Sequence, residues 1–208
     1  MAFFHNCIDF ERRNEINKQE LVLSEDFSIY NVFKALVGPG RKFLELCDLQ
    51  TIIAKHFECQ YTYKDVKLAV LRQGGEEQMR YTDYVNLVKP RSHEFSDYVN
   101  RKMHDSEIGF NFDHSFGMKD ATKQRFGKLF REMIELENEL ELQRKYKISQ
   151  IDVKEVYRSI DTDMKGFCTL SDYYAFFESK YCSDLPVSTE EVTYLFKRHD
   201  RMRQGRVT

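Results

Sequence analysis

The chain has 208 residues, enough for one or two domains, and 34 acidic against 32 basic residues give a formal charge of −2. It has no long uncharged apolar run and no signal-peptide pattern at the N-terminus, so neither a membrane span nor secretion is expected. Five scattered cysteines favour a reducing compartment over a disulfide framework, and we therefore expect a cytoplasmic protein.

The first strong pattern along the chain is a helix, a loop and a second helix. The first helix carries four apolar residues that would share one face: Ile29, Val32, Phe33 and Leu36. The loop runs from Val37 to Asp48, and it contains Gly, Pro and basic residues. The helix beyond it carries Leu49, Ile52 and Ile53.

A second helix–loop–helix follows, with a shorter loop. Val66, Ala69 and Val70 lie on the helix before this loop, and Asp83, Tyr84 and Val85 lie on the helix after it. The two loops are expected to meet in a short antiparallel bridge that places Leu44 opposite Met79.

Residues 91–117 have weak periodicity and are predicted to be a linker, with a short helix near Tyr98 and Val99. Within it, residues 108–116 (IGFNFDHSF) are either a strap over an apolar groove, which is favoured, or a free binding motif. Residues 119–146 are predicted to form one long helix with glutamates on a solvated face. Its apolar residues follow a heptad: Phe126, Leu129, Met133, Leu136 and Leu140.

The most informative motif is DTDMKGFCTLSD, from Asp161 to Asp172. Its spacing matches a calcium loop, which needs oxygen ligands at set positions and Gly at the sixth, here Gly166. Lys165 replaces an oxygen ligand at the fifth position, so at most one weak Ca²⁺ site is expected. The predicted ligands are Asp161, Asp163, the carbonyl of Phe167, Thr169 and Asp172. In the preceding helix, four apolar residues are spaced to share one face: Val153, Val156, Tyr157 and Ile160.

A further helix follows Pro186, starting at a capping box of Ser188 and Glu191. Asp200 opens another loop, in which Val207 is expected to face Cys168. Because the sequence stops at Thr208 inside this loop, no exit helix would cover the apolar face of the helix. We expect another chain, further residues or the 108–116 strap to cover Val192, Leu195 and Phe196.

The loop at Asp161, with a helix in register on each side, resembles the EF-hand (calmodulin-like) superfamily. The resemblance implies an all-α fold with two EF-hand pairs joined by a linker and a long helix, the second pair truncated. Residues 1–90 would hold an entry helix and a degenerate pair, 91–117 the linker, and 118–208 the long helix and a pair whose last hand is incomplete.

Two further segments are similar to cilia- and flagella-associated EF-hand proteins of protists, which line the inside of axonemal microtubules. They are the acidic helix segment NELELQRK and the linker start PRSHEFSDYVNRK. This similarity implies protein partners such as tubulin, and a cilium or axoneme location. The basic residues near the C-terminus would either contact such an acidic surface or be solvated: Lys197, Arg198, Arg201, Arg203 and Arg206.

No phosphate loop, nucleophile elbow or catalytic carboxylate pair stands out, and no aromatic–basic platform for nucleic acid. An enzyme is therefore not expected. The favoured hypothesis is a structural or adaptor protein that binds other proteins largely independently of calcium. The alternative is a calcium sensor that acts through the loop Asp161–Asp172, and a metal titration would distinguish the two.

Overall fold

The computed structural model describes residues 2–57, 60–72, 77–104, 118–147, 152–179, 186–200 and 202–208. Within these ranges the chain forms ten α-helices, one short 3-10 helix and one two-stranded sheet. The predicted all-α class is therefore confirmed. The predicted 108–116 strap lies outside the described residues.

The helices follow one another in chain order, with the two strands in the first half. They are α1 (Ala2–Leu23), α2 (Ile29–Val37), β1 (Leu44–Glu45), α3 (Leu46–Phe57), α4 (Tyr63–Arg72), β2 (Gln78–Met79), α5 (Tyr81–Val88), a 3-10 turn (His93–Phe95), α6 (Ser96–His104), α7 (Asp120–Lys147), α8 (Val153–Ile160), α9 (Leu170–Glu178) and α10 (Thr189–His199).

The chain divides into two compact units that do not follow sequence order. The central unit is Arg12–Glu137, and the terminal unit combines Met1–Glu11 with Asn138–Thr208. Both α1 and α7 therefore contribute residues to each unit. The domain boundaries expected from the sequence repeat stay a prediction.

In the central unit, α2 begins at a side-chain cap and turns its apolar face inward. The hydroxyl of Ser28 accepts a hydrogen bond from the Asn31 N–H at 3.2 Å, which satisfies one free donor of the first turn. All four predicted inner residues are buried: Ile29, Val32, Phe33 and Leu36. Beyond the loop, β1 and β2 pair antiparallel with Leu44 opposite Met79, so the predicted bridge is confirmed.

The inner face of α2 is covered by α5. The ring of Phe33 lies 5.3 Å from the ring of Tyr81 and 5.4 Å from that of Tyr84, measured between centroids. Tyr30 meets Tyr81 edge-on at 5.7 Å. Tilted and edge-on arrangements are the favourable ones for aromatic pairs, so this contact contributes beyond the area that it buries.

The helix α6 occupies part of the predicted linker and packs on the central unit. The ammonium of Lys102 donates to the carbonyls of Ser24 and Glu25, at 2.9 and 3.0 Å. The hydroxyl of Tyr81 donates to the Met103 carbonyl at 3.0 Å. The short helix expected near Tyr98 and Val99 is thus confirmed, with Val99 buried and Tyr98 exposed.

The predicted long helix is confirmed as α7, and its heptad is buried throughout: Phe126, Leu129, Met133, Leu136 and Leu140. Glu135 and Glu139 are exposed, as expected for a solvated face. Glu137 is buried among the apolar residues, so the interpretation is wrong at that position.

In the terminal unit, α10 is buried without an exit helix. Cys168 and Val207 form the predicted antiparallel bridge, with N–H to carbonyl distances of 2.8 and 2.9 Å. The apolar face of α10 is buried: Val192, Leu195 and Phe196. The 108–116 strap, one of the covers expected for this face, lies outside the described residues, so the identity of the cover stays a prediction. Tyr173 of α9 packs edge-on against Phe196 at 5.4 Å.

The start of α1 completes this packing. The Phe4 ring lies 5.3 Å from that of Phe177, 6.1 Å from that of Phe176 and 6.2 Å from that of His199. Asn6 also donates to a Glu139 carboxylate oxygen at 2.8 Å. The first turns of the chain therefore close over α9 and α10, a contact that the sequence did not predict.

The helix α8 is the exception in this unit. Of the four residues predicted to share one face, only Ile160 is buried, at 7% exposed. Val153 is 59% exposed, Val156 is 39% exposed and Tyr157 is half-buried. The predicted helix ending at Asp161 is thus present, but most of its apolar face is not buried.

The basic cluster near the C-terminus is not a uniform surface. Arg198 is buried, whereas Lys197, Arg203 and Arg206 are exposed. Arg201 lies outside the described residues. The part of the cluster available to an acidic partner is therefore smaller than the sequence suggests.

Candidate functional site

The loop from Asp161 to Asp172 starts where α8 ends, and Asp161 organises its first half. Its buried carboxylate accepts hydrogen bonds from the Lys165 N–H at 3.0 Å and from the Gly166 N–H at 2.8 Å. Both oxygens of the first predicted ligand therefore already bind backbone donors of the loop. Such bonds satisfy amide groups that would otherwise be left without a partner after the helix ends.

The sharp turn of the loop depends on two residues in the left-handed region. Gly166 has φ of 79° and Met164 has φ of 54°. Glycine adopts this conformation without the steric cost of a Cβ atom, which accounts for Gly166 at the sixth loop position. The position predicted for the turn is thus the position at which the backbone requires it.

The second half of the loop ends in a capping box that starts α9. Asp172 accepts hydrogen bonds from the Thr169 N–H at 2.7 Å and from the Thr169 hydroxyl at 2.8 Å, both on Oδ2. Thr169 and Asp172 therefore bind each other as helix-capping residues, in addition to any role as ligands.

Lys165 places a positive charge among the predicted ligands. Its Nζ lies 2.7 Å from Asp172 Oδ1 and 2.9 Å from Oδ2, and 3.7 Å from Asp163 Oδ2. The same ammonium lies 5.8 Å from the centre of the Phe167 ring. The lysine that interrupts the calcium motif is thus held by two of the predicted ligands.

Lys165 and Asp172 each stabilise the ionised form of the other. The hydrogen bond to Asp172 raises the pKa of Lys165. Burial alone would raise the pKa of Asp172, but the hydrogen bonds from Lys165 and Thr169 outweigh it and hold that pKa below its ordinary value. Both groups are therefore kept ionised at neutral pH.

A calcium ion does not fit this arrangement while Lys165 remains in place. Calcium takes about six to eight oxygen ligands, and a bidentate carboxylate at the last loop position is the usual one. Here both oxygens of Asp172 already bind the ammonium, which would repel a divalent ion. Asp163 and Asp172 lie beside the ammonium, whereas Asp161 binds backbone amides, and among the described residues these three carboxylates do not gather within 4.8 Å of one another. The role of Asp161, Asp163, the Phe167 carbonyl, Thr169 and Asp172 as metal ligands stays a prediction.

The first loop of the central unit contains a similar ion pair, which the sequence did not predict. Arg41, at the fifth position, donates to Asp48 Oδ2 at 2.6 Å, and Asp48 holds the twelfth position. The Nε of Arg41 also donates to the carbonyl of Val37, at 2.7 Å. A basic residue seven places before the closing aspartate is the signal that could have indicated this pairing.

The last loop repeats the geometry of the Asp161 loop without its anionic ligands. Asp200 accepts from the N–H groups of Gln204 and Gly205, at 3.0 and 2.7 Å. Arg203 and Gly205 have φ of 52° and 72°, which match Met164 and Gly166. The first aspartate thus holds the loop in shape in both cases, with backbone bonds alone.

A second group of possible metal ligands lies beside β1, where ligand atoms of Glu45, Cys47 and Asp48 fall within 4.8 Å of one another. Asp48 is already bound to Arg41. Burial, together with the Glu45 carboxylate, raises the pKa of the Cys47 thiol, which disfavours the thiolate that binds metals. We therefore assign no metal to this group.

Comparison with models of known protein families, with curated proteins and with solved structures found no match. Within the described ranges, no helix is both long enough and apolar enough to cross a bilayer.

Proposed function

We propose that this chain is a non-enzymatic structural or adaptor protein that binds other proteins through EF-hand-like helix pairs, largely independently of calcium. The observation that carries the proposal is the repeated ion pair between loop positions five and twelve. Lys165 binds Asp172 in one loop and Arg41 binds Asp48 in another. In each loop a side-chain cation of the protein itself binds the carboxylate that a calcium loop would use as its last ligand.

The physical consequence is that the loop holds its conformation without a bound ion. In calcium-switched helix pairs, the ion decides whether the pair opens. Here the amide donors of the loop bind Asp161, and Asp172 binds both Lys165 and Thr169. The helix pair is therefore held in one state by packing and by internal charges, as a constitutive binding module requires.

For partners, the similarity to axonemal EF-hand proteins makes a microtubule assembly the first candidate. Co-sedimentation of the full chain with stabilised microtubules, at physiological salt, tests this part of the proposal. Binding that is unchanged by calcium or by a chelator would support it. Binding that appears only with calcium would instead favour a sensor.

The sensor is the alternative, and one observation favours it. Lys165 leaves Asp163 largely exposed, with 73% of that side chain accessible, so the loop retains carboxylates that an ion could recruit if the ammonium moved aside. Calorimetric titration of the full chain with calcium separates the two functions. Saturable binding at micromolar concentration with a change in near-ultraviolet circular dichroism would overturn the adaptor proposal.

A further inference from the structure

The exposed face of α8 has a covered counterpart in the central unit. Both helices lead into a loop whose eighth residue forms the antiparallel bridge, Leu44 in one case and Cys168 in the other. Counting back from the loops, Val153, Val156, Tyr157 and Ile160 of α8 correspond to Ile29, Val32, Phe33 and Leu36 of α2. All four residues are buried in α2, whereas only Ile160 is buried in α8.

The difference has an identifiable cause. In the central unit both α5 and α6 pack on α2, and Tyr81 and Tyr84 of α5 contact the ring of Phe33. The helix α5 begins two residues after Met79, the bridge residue of its loop. Val207 is the matching bridge residue of the terminal unit. The exposure of Val153 and Val156 shows that no described helix takes the place of α5 over α8.

Two cations lie beside this face, where α2 has Lys34 alone at the corresponding positions. A shallow depression on α8 is lined by Val153, Lys154, Tyr157 and Arg158. Lys154 and Arg158 lie one turn apart and are exposed, and neither has an ion-pair partner within the part of the chain that the structure describes. An apolar strip beside two unpaired cations favours a ligand with apolar and acidic side chains on neighbouring positions.

We propose that this face of α8 binds an amphipathic helix of a partner protein, which packs as α5 packs on α2 and directs acidic side chains toward Lys154 and Arg158. The proposal rests on the protein-binding function proposed above and names the chemistry of one partner. Helix-in-groove recognition uses apolar anchors spaced three and four residues apart, and α5 presents Tyr81, Tyr84, Val85 and Val88 in this way. A membrane is disfavoured because α8 has only eight residues and few exposed apolar ones.

The test supplies such a helix in a tethered form. Thr208 corresponds to Arg80, so a copy of residues 81–90 (YTDYVNLVKP) is appended directly after Thr208 of the full chain. A tether raises the effective concentration into the millimolar range, which makes even weak docking measurable. We expect the thermal midpoint of the fused chain to exceed that of the 208-residue chain by roughly 3 °C or more.

Substitutions on α8 show where the helix docks. Val156→Asp is expected to change the 208-residue chain little, because the side chain is exposed, but to abolish the gain in the fused chain. Leu142→Asp, at another exposed apolar residue of the same unit, is the matched control and should leave the gain intact. No gain on fusion, or a gain that survives Val156→Asp, would overturn the proposal.

The charge requirement is tested separately. A second fusion carries Thr82→Glu and Asn86→Glu in the appended copy, at two exposed positions one turn apart. The thermal midpoint of this fusion is expected to rise more than that of the first fusion. When α8 carries Lys154→Glu and Arg158→Glu, the first fusion should instead show the larger rise. An unchanged order would overturn the acidic part of the proposal.

Two measurements on the 208-residue chain test the competing occupants. Dimerisation in sedimentation equilibrium, or binding to phosphatidylserine vesicles, that is lost in Val156→Asp would assign the face to a second copy or to a membrane and overturn the proposal. A chain that stays monomeric and does not bind the vesicles supports the proposal. The calcium titration is read independently of the fusions, so failure of the proposed function and failure of this site are distinguishable.

Discussion

The ammonium of Lys165 binds both carboxylate oxygens of Asp172, at 2.7 and 2.9 Å, across seven residues of the loop. The guanidinium of Arg41 binds Asp48 at 2.6 Å across the same number of residues. Apart from this pair, the two loops share only a Phe at the seventh position and a Leu at the tenth, yet both contain the same ion pair. Each neutralises the carboxylate that starts its exit helix with a cation from the fifth loop position.

We first predict that removing this cation creates a calcium site. Lys165→Ser frees the carboxylates of Asp163 and Asp172 from the ammonium and supplies a further oxygen. Because the repulsion between the ammonium and a divalent ion is lost, we expect calcium affinity to rise about tenfold or more. Isothermal titration calorimetry of both chains measures the change.

The control for this prediction is Asp161→Ala in the Lys165→Ser chain, which should abolish the new binding. Arg41→Ser is a second control, because its loop has Val37 and Pro39 at the first and third positions, where the Asp161 loop has carboxylates. Equal calcium affinity in the original chain and in Lys165→Ser would show that Lys165 does not determine metal binding.

The second prediction concerns acid stability. The pKa of Asp172 lies below its ordinary value in the folded chain. A carboxylate with a lowered folded pKa adds stability above its unfolded pKa of about 3.9, and this contribution is lost as pH falls through the folded value. In urea unfolding from pH 7 to pH 2, Asp172→Asn should therefore lose less stability below about pH 4 than the original chain.

Asp26 provides the comparison, since its pKa is also lowered in the folded chain. Burial acts against this shift, but the hydrogen bonds from the Lys119 N–H and the Thr122 hydroxyl outweigh burial. Asp26→Asn should likewise reduce the loss of stability between pH 7 and pH 2, and the double variant with Asp172→Asn should reduce it further. If neither variant changes the slope, the acid sensitivity arises from other carboxylates.

The sequence predicted the local features of the loops because each depends on a few neighbouring residues. The bridges of Leu44 with Met79 and of Cys168 with Val207 were found, since a loop of fixed length fixes the register of its eighth residue. The turn at Gly166 follows from the need for a positive φ. The EF-hand relationship itself stays a prediction.

The sequence does not predict the contact between the start of α1 and α9. Phe4 reaches Phe176 and Phe177 across more than 170 residues of sequence, and no local pattern indicates a contact of that kind. Burial of polar residues was missed for a similar reason. Glu137 sits between apolar residues of a heptad, where its charge predicts exposure, but the surrounding packing buries it.

The third prediction concerns a buried lysine on α1. Burial lowers the pKa of Lys18 to about 8, with nearby Glu15 opposing the shift and Lys89 adding to it. The unfolded chain, with an ordinary lysine pKa of about 10.4, binds more protons between these values, so the free energy of unfolding should rise with pH from about 8 to about 10.4.

Lys18→Met should remove this rise and should stabilise the chain at pH 7 by on the order of 2 kcal/mol, because a buried charge is replaced by an apolar side chain of similar length. Urea unfolding at pH 7 and pH 10 measures both effects. Lys145→Met, at an exposed lysine, is the control and should change neither. A Lys18→Met chain that is less stable than the original at pH 7 would contradict the prediction.

The last prediction is that Phe4 stabilises the packing of the terminal unit. Its ring packs against those of Phe176, Phe177 and His199, and it is 9% exposed. Phe4→Ala should lower the free energy of unfolding by about 3 kcal/mol, the usual cost of emptying a buried aromatic site, and should increase binding of a hydrophobic dye. Ile16→Ala is the matched control on the same helix, because Ile16 is 56% exposed, and it should stay within about 0.5 kcal/mol of the original chain. If the two substitutions cost the same in urea unfolding, the start of α1 does not close this unit, and α9 and α10 pack without it.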